Sequence, residues 1–364
     1  MKHLKDFEND LNKCSKCGLC ESVCPIFKIN PNDCAASKGK FIMLHGVTKG
    51  DLKLSKNINK YIDMCLKCGK CNEFCPSGID VCQILSSAKA DFLKDKLYGK
   101  IINFLQSKII FGAIINFGKF ISKPFRPKKI PAQNAIQVMY FKGCVNQICP
   151  RTDIYLNKIF KNTINIVEPD FECCGLPFLS EGNMERFEQC AKSNLEKLND
   201  NYSYFVTDCA SCQSTILDYP KYINTKLNLS EKAVNWGEII ALQNLKFKFK
   251  KPLKVTFHKP CHLKNDKFFK TIMNNCENVE YVEMENYTDC CGLAGSFIIK
   301  NLKLSTKLAK QKAQNINKTN TDYVITTCPS CIAGLNYGLL LNKSKTKVVS
   351  LPEFLSKAET ISRC

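Results

Sequence analysis

The sequence predicts an α/β chain in which a small α-helical domain is followed by two copies of one α/β unit. Three observations carry that prediction. A tightly spaced cysteine run occurs twice within the first 76 residues, a pattern of five cysteines recurs at an offset of 117 to 119 residues, and short apolar runs lead into those cysteines between helical stretches. A chain of 364 residues has room for two or three domains with more than one buried core.

Composition narrows the classes of function. The chain holds 24 cysteines and only 4 histidines, with 53 Lys+Arg against 33 Asp+Glu for a net charge of +20. Such an excess steers a protein towards acidic partners or an anionic lipid surface, although a lysine-rich background would look the same. No helix-turn-helix, zinc-finger or aromatic RNA-binding signature accompanies the charge, so no nucleic-acid partner is expected. The start, Met1-Lys2-His3-Leu4-Lys5-Asp6, has no apolar signal region, which points to a cytoplasmic protein. In that reducing setting, cysteine patterns signal metal or redox sites more often than disulfides. Nor is there an uncharged apolar run of about 18 residues, so no membrane span is expected.

The helical domain is assigned to residues 1–96. Its first motif reads Cys14-x-x-Cys17-x-x-Cys20-x-x-x-Cys24-Pro25, and its second reads Cys65-x-x-Cys68-x-x-Cys71-x-x-x-Cys75-Pro76. Soft thiolates suit iron bridged by sulfide, and the short spacing lets one loop wrap three corners of a cubane. Two [4Fe–4S] clusters are therefore expected. In two-cluster ferredoxins the fourth cysteine of each run ligates the other cluster. By that rule Cys14, Cys17, Cys20 and Cys75 hold one cluster, while Cys65, Cys68, Cys71 and Cys24 hold the second. Gly18 and Gly69 let backbone amides approach sulfur, and each proline turns the chain after its last ligand. Cys34 and Cys82 fall outside the motifs and read as packed thiols; residues 38–53 read as a helix and turn between the motifs.

Residues 97–131 form a basic, apolar connector, with Lys100, Lys108 and Lys119 interspersed among apolar residues. Between Phe92 and Ile130 basic residues outnumber acidic ones nine to one. A basic amphipathic helix suits a membrane surface or a groove on a partner, and equally a place between the chain's own domains. Ser122-Lys123-Pro124-Phe125-Arg126-Pro127 reads as extended linker.

The remainder is a duplication, assigned to residues 132–245 and 250–360. Offset by 117 residues, Cys144, Cys173 and Cys174 become Cys261, Cys290 and Cys291; offset by 119, Cys209 and Cys212 become Cys328 and Cys331. Each unit thus has one cysteine, a Cys-Cys-Gly and a Cys-x-x-Cys. Tyr204-Phe205-Val206 and Tyr323-Val324-Ile325 read as buried strands, and 184–199 and 303–317 as helices. Open α/β sheets place their ligands just past strand ends, where these cysteines fall. Five thiolates exceed a tetrahedral zinc site, so a polynuclear cluster or a redox-active disulfide is the better explanation, with zinc left open. Trp236 is expected in the core.

With these motifs assembled, the chain resembles the iron–sulfur subunits of glycolate oxidase and anaerobic glycerol-3-phosphate dehydrogenase, and the heterodisulfide reductase subunit that fuses the same parts. The local marks are Ser37-Lys38-Gly39-Lys40-Phe41, Cys75-Pro76-Ser77-Gly78, His258-Lys259-Pro260-Cys261 and Cys290-Cys291-Gly292-Leu293-Ala294-Gly295-Ser296-Phe297. That resemblance implies an electron-transfer subunit with no flavin and no catalytic side chain of its own. An FAD-containing dehydrogenase subunit would oxidise a 2-hydroxy acid (glycolate or lactate) or, as the alternative, glycerol-3-phosphate, and this chain would relay electrons towards membrane quinone, peripheral on the inner face of the membrane. The lack of a Gly-x-Gly-x-x-Gly fingerprint agrees with the missing nucleotide site. Both Cys-x-x-Cys pairs are intact, which resembles heterodisulfide reductase, where the five-cysteine pattern binds a noncubane [4Fe–4S] cluster that cleaves a disulfide. One or two further noncubane clusters, and a thiol–disulfide function, follow as the alternative. His258 and His262 flank Cys261, and His258 stands where the first unit has Phe141; a histidine there can tune a cluster through hydrogen bonds or be merely structural.

Overall fold

The computed structural model describes residues 2–94, 136–148, 152–161, 163–198, 202–225 and 233–361. The expected connector at 97–131 lies outside the described residues. Among those described, no helix is long and apolar enough to cross a membrane.

Residues 2–94 are all helix and loop. Ser37–Lys49 is the helix expected between the cysteine motifs; it stops at Gly50, whose left-handed φ of 87° closes the last turn. The helix Val81–Leu93 begins at Asp80, whose carboxylate accepts from the Gln83 amide, and buries Ile84, Leu85, Ala88 and Phe92. These helices enclose a small core of Leu4, Phe7, Leu11, Phe41, Leu44, Ile58 and Ile62 beside the cysteine loops.

The rest is two parallel sheets of one design. The first contains β1 (Ile136–Phe141), β2 (Ile164–Val167), β3 (Tyr204–Thr207) and β4 (Ala233–Asn235), in the order β2-β1-β3-β4. The second contains β5 (Lys246–Phe257), β6 (Cys276–Tyr281), β7 (Tyr323–Thr326) and β8 (Lys347–Ser350), in the order β6-β5-β7-β8. Even the register repeats, since Val138 pairs with Tyr204 and its counterpart Val255 pairs with Tyr323. Each unit also closes alike. Asn235 caps the helix Trp236–Leu242 with the Glu238 side chain returning to its backbone, and Ser350 caps the helix Leu351–Leu355 by accepting from the Glu353 amide. A further strand, β9 (Glu359–Ile361), adds antiparallel to the start of β5 and has no counterpart among the described residues of the first unit.

One continuous apolar core runs through both units. Its largest fully buried side chain is Trp236, as expected, set edge-on to Tyr140 at 5.3 Å. β1, β3 and β7 bury consecutive residues and so are covered on both faces, whereas the first part of β5 and the edge strand β6 expose lysines and glutamates.

Candidate metal centres

In each amino-terminal motif the backbone turns left-handed twice, at Lys16 and Gly18 and again at Lys67 and Gly69, with φ of 57°, 83°, 54° and 75°. That winding curls the loop and aims successive sulfurs inward. Lys67 donates its amide to Cys65 Sγ at 3.4 Å. Two cavities result. One, of about 450 Å³, is lined by Cys14, Cys17, Cys20 and Cys75, together with Cys71. The other, of about 380 Å³, is lined by Cys65, Cys68, Cys71 and Cys24, together with Cys82. Burial pushes the Cys20 thiol up to about 11 and raises Cys24 and Cys68 as well. Free thiols in these positions would stay protonated, so a metal binding here must displace protons. A donor set of four soft sulfurs around each cavity fits an iron–sulfur cluster.

Cys82 is packed, but against Cys71 of the second motif. Its hydrogen bond to Cys71, the largest influence on that thiol, lowers Cys71 to about 7. Spacing gave no hint of this contact, because Cys82 belongs to the next helix. Cys34 lines neither cavity.

The ten cysteines of the repeated five-cysteine pattern line a single cavity, which encloses about 1230 Å³ including its open mouth. Cys144, Cys209, Cys261 and Cys328 follow the ends of β1, β3, β5 and β7, while the Cys-Cys pairs lie on the loops after β2 and β6. Within the first unit Cys173 Sγ is 3.7 Å from Cys144 Sγ, and hydrogen bonds from Cys173 and Cys212 hold Cys174 well below its usual range. The second unit repeats this, with Cys290 and Cys331 holding Cys291 down. The equivalent cysteines Cys209 and Cys328 meet across the boundary by a hydrogen bond, beside a backbone bond of 3.3 Å from Ala210 to the Thr327 carbonyl. The two sets therefore meet across the boundary between the units. Five convergent sulfurs per unit, with Cys174 in the first and Cys291 and Cys328 in the second held below the usual thiol range, fit a polynuclear iron–sulfur centre better than a four-coordinate ion.

The glycine of each Cys-Cys-Gly is structurally required. Gly175 and Gly292 have φ of 89° and 87°, and a β-carbon on Gly292 would fall 2.7 Å from the Ser305 carbonyl oxygen. Gly292→Ala is expected to cost about 1–3 kcal/mol and to lower metal retention in the second unit. Denaturation and metal analysis of the full chain check this, and wild-type values for both would contradict it.

The helical domain closes the shared cavity. Cys65, Leu66 and Lys67 line its wall, and Leu66 and Ile26 pack with Cys290, Phe297 and Leu308 of the second unit. His262 joins all three parts. Its Nε2 is 2.8 Å from the Lys67 carbonyl and its Nδ1 is 2.9 Å from Ser211 Oγ. Because a carbonyl only accepts, Nε2 carries the proton and Nδ1 accepts from Ser211, which in turn lies 4.0 Å from Cys328 Sγ. Lys67 sits between Cys65 and Cys68, so one histidine fastens the second cluster loop to both cysteine pairs. His258 also lines the cavity; burial holds its ring well below its usual range, hence neutral.

Residues 10–79 match a 4Fe-4S dicluster domain, and residues 138–217 and 255–336 each match a cysteine-rich domain. The chain joins a 4Fe-4S dicluster domain to two cysteine-rich domains. It is therefore an iron–sulfur protein. Over 334 residues it is 27% identical to a fumarate reductase (CoM/CoB) subunit of Methanothermobacter marburgensis, covering 88% of this chain and 66% of that relative. The probable glycolate oxidase iron-sulfur subunit of Bacillus subtilis is 20% identical, with 96% of this chain and 94% of the relative aligned. A dihydromethanophenazine:CoB–CoM heterodisulfide reductase subunit of Methanosarcina barkeri is 23% identical, with 97% and 95% aligned. The resemblance read from the dicluster and cysteine-rich domains is thus to a real set of relatives, on both the oxidase and the heterodisulfide side.

Proposed function

We propose that the chain is the iron–sulfur electron-transfer subunit of a flavin-dependent 2-hydroxy-acid oxidase complex. Its dicluster domain would hold two [4Fe–4S] clusters with crossed ligation through Cys24 and Cys75, and each cysteine-rich domain would hold one further iron–sulfur centre on its five cysteines. Bound clusters supply one-electron storage. The chain's own residues set the order of the sites. Cys17 is exposed, so the first cavity opens towards a partner carrying FAD. Cys71 lines both dicluster cavities, and the Lys67–His262–Ser211 hydrogen bonds hold the second against the shared ten-cysteine cavity. That unbroken succession of soft-donor sites, from surface to interior, is the observation that carries the reading. Quinone as final acceptor, at the inner face of the cell membrane, is part of the same proposal.

A second reading has its own support. The shared cavity has an open mouth, Cys209 touches Cys328, and both Cys-x-x-Cys pairs are intact. A disulfide substrate could lodge between the two five-cysteine sets and be reduced there, as the name of the Methanosarcina relative suggests.

One anaerobic affinity purification separates the two. As an oxidase subunit, the chain is expected to copurify with a flavoprotein and to show no 2-hydroxy-acid dehydrogenase activity alone. Lactate or glycolate oxidation by the isolated chain would contradict this. For the second reading, adding thiol to the oxidised, fully loaded protein should elicit a new paramagnetic signal; silence would count against it.

A further inference from the structure

The two cysteine-rich domains are duplicates, yet one position differs in a way that bears on their metal centres. His258 occupies the place of Phe141. In the first domain that side chain belongs to an aromatic cluster, 5.1 Å from Phe171 and 5.9 Å from Phe205. In the second it is an imidazole with no exposed surface, and neither ring nitrogen has a hydrogen-bond partner. Buried polar groups are nearly always satisfied, and an orphaned pair of ring nitrogens points to a group that the polypeptide does not itself supply.

The backbone fixes where the ring goes. The His258 amide donates to the Ile325 carbonyl at 2.9 Å, tying the residue to the end of β7. Side chains alternate along an extended segment. Phe257 turns away to stack on Phe269 at 4.1 Å, and His258 lines the cysteine cavity. There a ring nitrogen, Cys291 Sγ and Cys331 Sγ all lie within 4.8 Å of one another. Cys291 and Cys331 are the counterparts of Cys174 and Cys212, so the second domain places a nitrogen donor where the first has a hydrocarbon ring.

We propose that a ring nitrogen of His258 ligates iron in the centre of the second cysteine-rich domain. The second centre is then a mixed thiolate–imidazole site, and the first is all-thiolate. This rests on the assignment of an iron–sulfur centre to that domain. His258 stands in place of Phe141 while all five cysteines of the second domain are retained, so its centre gains a neutral nitrogen donor that the first lacks.

The test uses the full chain, loaded anaerobically and titrated to its paramagnetic states. Pulsed EPR should detect a strongly coupled nitrogen whose modulation changes when the protein is grown with ¹⁵N-histidine. That coupling should be lost in His258→Phe and retained in His262→Asn. His258→Cys should keep the iron, lose the nitrogen coupling and shift the potential of that centre downwards. A loaded second domain with no histidine nitrogen in the wild-type protein, or a coupling that persists in His258→Phe, would overturn the role of His258. Iron analysis of the same sample reads the underlying assignment separately. A second domain without iron would sink the cluster assignment and the ligand together.

Discussion

Cys24→Ala and Cys68→Ala are expected to destroy the same cluster, although the two residues belong to different motifs. Each should remove about four irons, on the basis of four per cubane, and the double variant should lose no more than either single one. Cys24→Ala combined with Cys17→Ala should instead remove about eight. The physical reason is the composition of the two cavity walls. Cys24 caps the helix Pro25–Ile29 with extended backbone, which leaves it beside Cys65, Cys68 and Cys71 and not beside Cys14, Cys17 and Cys20. The reverse pattern, additive loss for Cys24 with Cys68 and none for Cys24 with Cys17, would mean that each motif closes on its own cluster. Quantitative EPR and iron analysis of the reduced variants read the result.

Lys89→Met should be the most destabilising surface-distant substitution, at about 3–5 kcal/mol. Lys89 meets Asp63 of its own helical domain at 2.6 Å and reaches out to Glu181 of the first cysteine-rich domain at 3.3 Å. Lys300 of the second reaches the same two carboxylates at 3.3 and 2.5 Å, and Ser296 also hydrogen-bonds Glu181. Burial would push the Glu181 carboxyl up, but Lys89 and Lys300 outweigh it and hold the carboxyl below its usual range. Removing Lys89 leaves two partly desolvated carboxylates with one cation, and an uncompensated buried charge is what makes such losses large. Lys254→Met is the internal control. Its partner Glu280 lies 3.1 Å away, but both side chains are more than half exposed, so less than about 1 kcal/mol should be lost. Denaturant unfolding of the loaded chain compares them. Equal losses for the two variants would show that the network does not weld the domains.

Much of this architecture is legible in the sequence because cysteine spacing is a short-range signal. The dicluster motifs and the strands before Cys209 and Cys328 follow from letters within a few positions of one another, and the duplicated five-cysteine pattern from its recurrence at an offset of 117 to 119 residues. The helices expected at 184–199 and 303–317 are present at Met184–Glu196 and Leu302–Lys318. What the letters do not reveal is how the parts face each other. Asp63, Lys89, Glu181 and Lys300 look like ordinary surface charges until the fold buries them together. The meeting of Cys209 with Cys328 depends on how the two units pack together, which no single repeat encodes. β9 is equally opaque, since its three residues gain a partner only once the long β5 has formed. His258 is an intermediate case: the repeat alignment marks it as the exception to Phe141, but only the fold shows both its nitrogens stranded among sulfurs.

The assignment of clusters to the cysteine-rich domains is the centre of this picture, and metal stoichiometry tests it most directly. Full-length protein reconstituted anaerobically should carry about sixteen irons and as many acid-labile sulfides per chain, four for each of four centres. About eight irons, with zinc or no metal on the ten cysteines of the shared cavity, would contradict it.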